Sequence, residues 1–136
     1  MRETILRKFF EGFASDQQLA RDVAGSLSRS GNQVTVRIQR MDSEFAVQAR
    51  HLIRVCDAIL SGNLDPTHLA AVGFALQASE AFTWDGSTED GERVAETASD
   101  WSAPEINFPL TVENVSAWKS YLMNGTREGL RSVLAG

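Results

Sequence analysis

The chain has 136 residues, 43% hydrophobic and 23% charged, proportions typical of one globular domain rather than of a disordered chain. Thirteen basic and eighteen acidic residues give a net charge of −5, so duplex nucleic acid is an unfavourable default partner, because phosphate binding depends on clustered Lys and Arg. A single cysteine, Cys56, excludes an intramolecular disulfide and a multi-cysteine zinc site. The longest uncharged run, 66–79, is too short to cross a membrane. We therefore expect a single cytoplasmic domain over 1–136.

Hydrophobic residues at helical spacing predict two helices near the N-terminus. Ser15 and Gln18 have the form of a capping box, which indicates that the second helix begins there. The polar segment 28–32 predicts a break in the chain after the second helix. The apolar positions of the two helices are Ile5, Leu6, Phe9, Phe10 and Phe13, then Leu19, Ala20, Val23, Ala24 and Leu27.

Two patterns compete between Gln33 and Leu60. Apolar and polar residues alternate from Val34 onward, as in a strand rich in β-branched residues. The same residues also extend one continuous apolar helical face that reaches Leu60. We favour helix through most of Gln33–Leu60 and keep a minor β element at Val34–Met41 as the alternative. An unpaired strand at that place would favour a dimer, because exposed strand edges seek partners.

Capping residues predict three further helices in the second half of the chain. Asp65 followed by Pro66 starts one, Thr88 starts another that runs to about Ser99, and Thr111 starts a third that ends at Asn124. Prolines 104 and 109 predict irregular chain over 102–110. A short helix over 126–134 closes the chain. The predicted fold is mainly α, a compact single domain of five to six helices.

The charge is concentrated in one segment. Between Glu80 and Glu105 there are eight acidic residues and one basic residue, Arg93, so that segment carries −7. Tryptophan is enriched at binding hot spots, and acidic charge speeds encounter with a basic protein. The segment therefore predicts a non-catalytic face that binds a basic protein, formed by Trp84, Asp85, Glu89, Asp90, Glu92 and Trp101. In the alternative interpretation the charges only solubilise the domain and both tryptophans lie in the core.

No motif in the sequence predicts an enzyme, a cofactor or a metal site. The twelve residues from Asp85 to Glu96 resemble a calcium loop, but Asp90 stands where the sharp turn requires glycine. Cys56 and His51 are five residues apart, a separation that turns a helix by about 140° and points the two side chains apart. There is no phosphate-binding loop and no dinucleotide fingerprint. We predict no catalytic residue, no cofactor and no metal ligand. An enzyme whose carboxylate site assembles from distant positions stays open as a third class.

A second hypothesis is a nucleic-acid-associated regulator. If the region is helical, basic residues form a stripe that could contact phosphates. Neighbouring acidic residues offer a simpler explanation, a solvated face of paired charges. The stripe consists of Arg37, Arg40, Arg50 and Arg54.

One segment resembles a known group of proteins. The runs Phe82-Thr83-Trp84-Asp85 and Val94-Ala95-Glu96, with the stretch from Trp101 to Thr111 that contains Pro-Glu-Ile-Asn-Phe-Pro-Leu-Thr, are similar to small uncharacterised bacterial proteins loosely of the immunity type. The resemblance covers about Phe82 to Leu122. It implies a protein that neutralises a toxin by binding it, and it assigns no functional residue.

Overall fold

The computed structural model describes residues 1–30, 33–36, 38–104, 108–127 and 129–130, with backbone alone at 27–30 and 33–36. Within those ranges the chain forms six α-helices, a short 3-10 helix (Pro66–His68) that follows the predicted cap Asp65, and two pairs of short strands. The prediction of a mainly α protein with five to six helices is confirmed. The helices are α1 (Glu3–Glu11), α2 (Asp16–Ser26), α3 (Ala49–Leu60), α4 (Leu69–Ala78), α5 (Glu89–Ser102) and α6 (Val112–Asn124). The strands are β1 (Leu27–Ser30), β2 (Gln33–Val36), β3 (Phe45–Ala46) and β4 (Phe82–Thr83).

One continuous hydrophobic core joins all six helices. Two helix pairs make the most extensive contacts in this core: α4 packs on α5, and α3 packs on α6. The rings of Trp101 and Trp118 meet there edge to face with their centroids 6.2 Å apart, a favoured geometry for aromatic pairs. None of the helices in the described ranges is long and apolar enough to cross a membrane.

The predicted capping box at the start of α2 is present. Ser15 N–H donates to Gln18 Oε1 at 2.7 Å, and Gln18 N–H donates to Ser15 Oγ at 3.1 Å. These two bonds satisfy backbone donors that a helix N-terminus otherwise leaves free. The chain reaches this cap from α1 through Gly12, whose φ of 86° is in the left-handed region.

The prediction of helix through most of Gln33–Leu60 is wrong before Ala49. β2 pairs antiparallel with β1, with Leu27 opposite Val36, so part of the minor β element expected at Val34–Met41 is present, over 34–36. Farther along, Gln39 forms an isolated parallel bridge with Arg2. Residue 37 lies outside the described ranges, and Ile38 and Met41 pack against the core from irregular chain. The prediction is wrong because the strand partner is β1, the segment just before it, whose sequence pattern indicates a helix end and a break.

A second strand pair places the C-terminal half of the chain beside α3. β3 and β4 pair in parallel, with Phe45 opposite Phe82. The rings of Phe10, Phe45, His51 and Phe82 form one aromatic cluster with centroid distances of 5.0 to 6.3 Å. This cluster holds the segment after β4, which carries Trp84, next to the N-terminus of α3.

The C-terminal part differs from the prediction in two places. α5 continues to Ser102, beyond the predicted end near Ser99. Residues 126–127 and 129–130 are not helical, and the rest of the predicted helix over 126–134 lies outside the described residues. The caps Thr88 and Thr111 are confirmed, since Thr88 Oγ1 accepts from Gly91 N at 3.0 Å and Thr111 Oγ1 from Asn114 N at 3.2 Å.

Candidate functional site

Four of the six predicted site residues lie together at the N-terminal end of α5. Asp85 is in the turn before the helix, and Glu89, Asp90 and Glu92 are in its first turn. All four are exposed, and we call them the acidic tip. Acidic side chains at this position are stabilised by the positive end of the helix dipole. The only basic residue on the same turns of the described chain is Arg93, which lies 3.8 Å from Glu89.

The turn of the acidic tip is held by Asp85. Its Oδ1 accepts a hydrogen bond from Ser87 N–H at 3.0 Å and another from the Ser87 hydroxyl. Hydrogen bonding to the hydroxyl and the backbone of Ser87 lowers the pKa of Asp85 below its ordinary value. Asp85 is therefore ionised at neutral and mildly acidic pH.

Gly91 allows the turn to close onto the helix. A Cβ at this position would lie 1.8 Å from the carbonyl oxygen of Asp85, so no larger residue fits without moving the turn. Gly91, one position after the place where a calcium loop requires glycine, thus has a steric role here. It lets the backbone of Asp85 contact the first turn of α5.

Asp90 connects the acidic tip to α3. Its Oδ2 accepts a hydrogen bond from the backbone N–H of Ala49 at 3.1 Å, at the first residue of that helix. Between the two helix N-termini lies an open groove of about 430 Å³. Trp84 is half-buried in its wall and packs partly against the core. The groove is lined by Ala46, Val47, Gln48, Trp84, Asp85, Thr88, Asp90 and Gly91.

Trp101 is not part of this surface, and its prediction as a binding residue is wrong. Its side chain is 0% exposed and packs against Trp118 in the core. Because α5 extends to Ser102, Trp101 falls on the same buried helix face as Val94 and Ala98. The alternative interpretation, in which tryptophan serves the core, is correct for Trp101.

The other described acids of the −7 segment each form an ion pair with an arginine outside the acidic tip: Glu80, Glu96 and Asp100. Glu80 lies 3.8 Å from Arg40, and Glu105 is outside the described residues. Glu96 accepts from Arg127 at 3.1 Å, and Asp100 accepts from the same guanidinium at 2.9 Å. Of the described acids in the −7 segment, Glu96 and Asp100 therefore share one guanidinium close to them. Glu80 and Glu89 each have only a loose, exposed ion pair, so most of the loosely paired acidic charge lies in the acidic tip.

The cluster around Arg127 was not predicted from the sequence. Trp118 Nε1–H donates to Asp100 Oδ2 at 3.1 Å, and the Tyr121 hydroxyl donates to Glu96 Oε2. Burial, with the hydrogen bond to Glu96, raises the pKa of Tyr121 to about 12. Burial alone would lower the pKa of Arg127, but its hydrogen bond to Asp100 keeps that pKa above the ordinary value. The spacing of Glu96 and Asp100 by one helical turn is the only signal of this cluster in the sequence.

The calcium-loop interpretation finds no geometric support. Its last position, Glu96, bonds to Tyr121 and Arg127 instead of joining Asp85. Over the described ranges, no three His, Cys, Asp or Glu side chains are placed to hold a metal ion.

Neither His51 nor Cys56 is available for chemistry at the surface. His51 is 4% exposed, and its Nδ1 accepts from Gln48 N–H at 2.8 Å, which makes it part of the cap of α3. Burial lowers the pKa of His51 to about 4. Cys56 is fully buried, and burial raises the pKa of its thiol.

Three of the four basic residues of the second hypothesis lie in the described ranges, and each has a different contact. Arg40 lies near Glu80, Arg50 donates to Gln48 at 2.7 Å, and the Arg54 guanidinium lies over the Phe9 ring. Arg37 is outside the described residues. Arg50 and Arg54 share one exposed turn of α3.

Comparison of the chain with family models, curated proteins and solved structures found no match.

Proposed function

We propose that this protein is a non-catalytic binding protein that captures a basic protein through the acidic tip and the groove beside Trp84. The observation that carries the proposal is the position of Trp84, in the wall of an open groove whose rim bears Asp85 and Asp90. An aromatic side chain beside exposed carboxylates provides apolar contact area and charge attraction at one place.

The partner's chemistry follows from the charges. The acidic tip has four carboxylates near a single Arg93. Such a surface attracts Lys and Arg and repels acidic proteins, and its main effect is on the rate of association. The resemblance of Phe82–Leu122 to immunity-type proteins favours a toxin as the basic partner, neutralised by being bound.

A charge-reversal experiment tests this function with the fold preserved. Asp85 and Asp90 hold the turn and the start of α3, so the reversals are placed at Glu89 and Glu92, which point to solvent. The test variant is Glu89→Lys with Glu92→Lys. The matched control is Glu44→Lys with Glu113→Lys, which changes the net charge equally; Glu113 also lies in the first turn of a helix, α6.

The three proteins are used as baits in lysate of the source organism, and recovered proteins are identified by mass spectrometry. We expect wild type and the control to retain a basic protein that the Glu89/Glu92 variant loses. The affinity of that purified partner should fall at least about tenfold in the variant and weaken as salt is raised. The same set of proteins on all three baits, or no protein on wild type, would contradict the proposal.

A further inference from the structure

The cleft between α5 and α6 has the geometry of a guanidinium-binding site. Glu96 and Asp100 project from one face of α5, one turn apart. Each accepts a hydrogen bond from a different arm of the Arg127 guanidinium, at 3.1 Å and 2.9 Å. A planar two-armed cation suits two carboxylates placed in this way, and a lysine ammonium cannot bridge them with the same geometry.

Aromatic rings complete the cleft. The Arg127 guanidinium carbon lies 4.8 Å from the centroid of the Tyr121 ring and 5.4 Å from that of Phe108, both within cation–π range. The carboxylates are held by other groups as well, because Trp118 donates to Asp100 and Tyr121 donates to Glu96. The two carboxylates are therefore held by side chains of α6 as well as by Arg127, and Phe108 joins the cleft from the chain before α6.

Arg127 is joined to the end of α6 by a short segment, and its side chain is partly exposed to solvent. α6 ends at Asn124, Gly125 turns the chain in the left-handed region, and Arg127 follows two residues later. The Arg127 side chain is 33% exposed, whereas that of Asp100 is 10% exposed. An open volume of about 410 Å³ adjoins the guanidinium, lined by Ala95, Glu96, Ser99, Asp100 and Arg127.

We propose that this cleft is a second, arginine-selective contact for the basic partner, and that Arg127 occupies it in the free protein until an arginine of the partner displaces it. The identity of the partner rests on the proposed function, whereas the selectivity of the cleft for a guanidinium does not. Arg127 acts as a tethered competitor whose effective concentration is high because its connection to α6 is short.

The test titrates the full chain with N-acetyl-arginine amide and follows the indole N–H signal of Trp118 by NMR, because this group is bonded to Asp100. In Arg127→Ala we expect a saturable shift with an apparent affinity at least about tenfold higher than in wild type, since the tethered competitor is removed. N-acetyl-lysine amide should produce a much smaller shift. Arg50→Ala, which removes an exposed arginine from α3, should behave as wild type.

Asp100→Asn added to Arg127→Ala should abolish the response to the arginine probe. If Arg127→Ala is unfolded by circular dichroism, Arg127→Lys replaces it, and this variant should also bind the arginine probe more tightly than wild type. A folded Arg127 variant that shows no saturable shift, or equal shifts with both probes, would overturn the proposal. Since this titration contains no partner, its result is independent of the Glu89/Glu92 experiment, and either proposal can fail alone.

Discussion

Gly73 on α4 lies directly against the backbone of Ser102 at the end of α5. A Cβ added to Gly73 would stand 2.6 Å from the amide nitrogen of Ser102 and 2.8 Å from the carbonyl carbon of Trp101. This close approach is possible only because glycine has no side chain. It brings the two helices together at the point where Trp101 enters the core beside Trp118.

Gly73→Ala should therefore destabilise the protein. The atoms in the way are backbone atoms and the Cβ of Trp101, which moves with the backbone. α4 and α5 must therefore separate, and overpacking of this kind costs about 1–3 kcal/mol. Gly25→Ala is the matched control: it lies in α2, no atom of the described residues lies within 4 Å of an added Cβ, and the helix should gain up to about 1 kcal/mol. Urea unfolding measures both free energies, and a Gly73 variant as stable as wild type would contradict the close packing.

The stability of the protein should fall at acidic pH because of His51. In the folded protein, burial is the main cause that lowers its pKa from 6.5 to about 4; Arg50 acts in the same direction, and Asp90 and Glu11 oppose it. Between these two pH values the unfolded chain binds a proton that the folded protein does not. Above pH 6.5 His51 is neutral in both states, and the free energy of unfolding has its full value. Between pH 6.5 and pH 4 that free energy falls progressively, by up to about 3 kcal/mol.

His51→Asn tests this pH dependence. The Gln48 N–H donates to His51 Nδ1 in the wild type, and the asparagine oxygen keeps an acceptor near it. Asparagine has no group that titrates in this range. Urea unfolding at pH 7.5, 6, 5 and 4 should show a smaller loss of stability in the variant than in wild type. Parallel curves for the two proteins would show that His51 is not the cause.

The helices could be predicted wherever an apolar period and a capping residue occur together. Thr88 and Thr111 mark the starts of α5 and α6 because a threonine oxygen satisfies a free backbone N–H at each place. The strands could not be predicted in the same way. β3 and β4 have two residues each, too few to show a period, and Phe45 meets Phe82 only through the fold.

The candidate site was partly predictable for a related reason. The acidic tip is contiguous in sequence, so its charge and its exposure follow from composition and from the cap at Thr88. The burial of Trp101 depends on three further residues of α5 beyond the predicted helix end. The guanidinium cleft depends on Arg127 returning to residues 31 and 27 positions earlier, which no local pattern contains.

Cys56 should resist thiol reagents in the folded protein. It is fully buried, so a reagent cannot reach it. Burial also raises the pKa of its thiol, so the reactive thiolate is not formed at neutral pH. Reaction with a chromogenic disulfide should proceed at the rate of unfolding and become fast in urea. Ser61→Cys adds a thiol at an exposed position as a control and should react at once; equally fast reaction of wild type would contradict the burial of Cys56.

Thr88→Ala should lower the stability of the protein and weaken partner binding together. The Thr88 hydroxyl accepts from Gly91 N–H and donates to the carbonyl of Asp85, so it joins the first turn of α5 to the turn that carries Asp85. Loss of an N-cap costs about 1 kcal/mol. Thr111→Ala removes the corresponding cap of α6 and should cost a similar amount without affecting the acidic tip. Urea unfolding should therefore give matched losses, while binding of the recovered partner falls only in Thr88→Ala. If Thr88→Ala and Thr111→Ala bound the partner equally well, the geometry of this turn would not contribute to recognition.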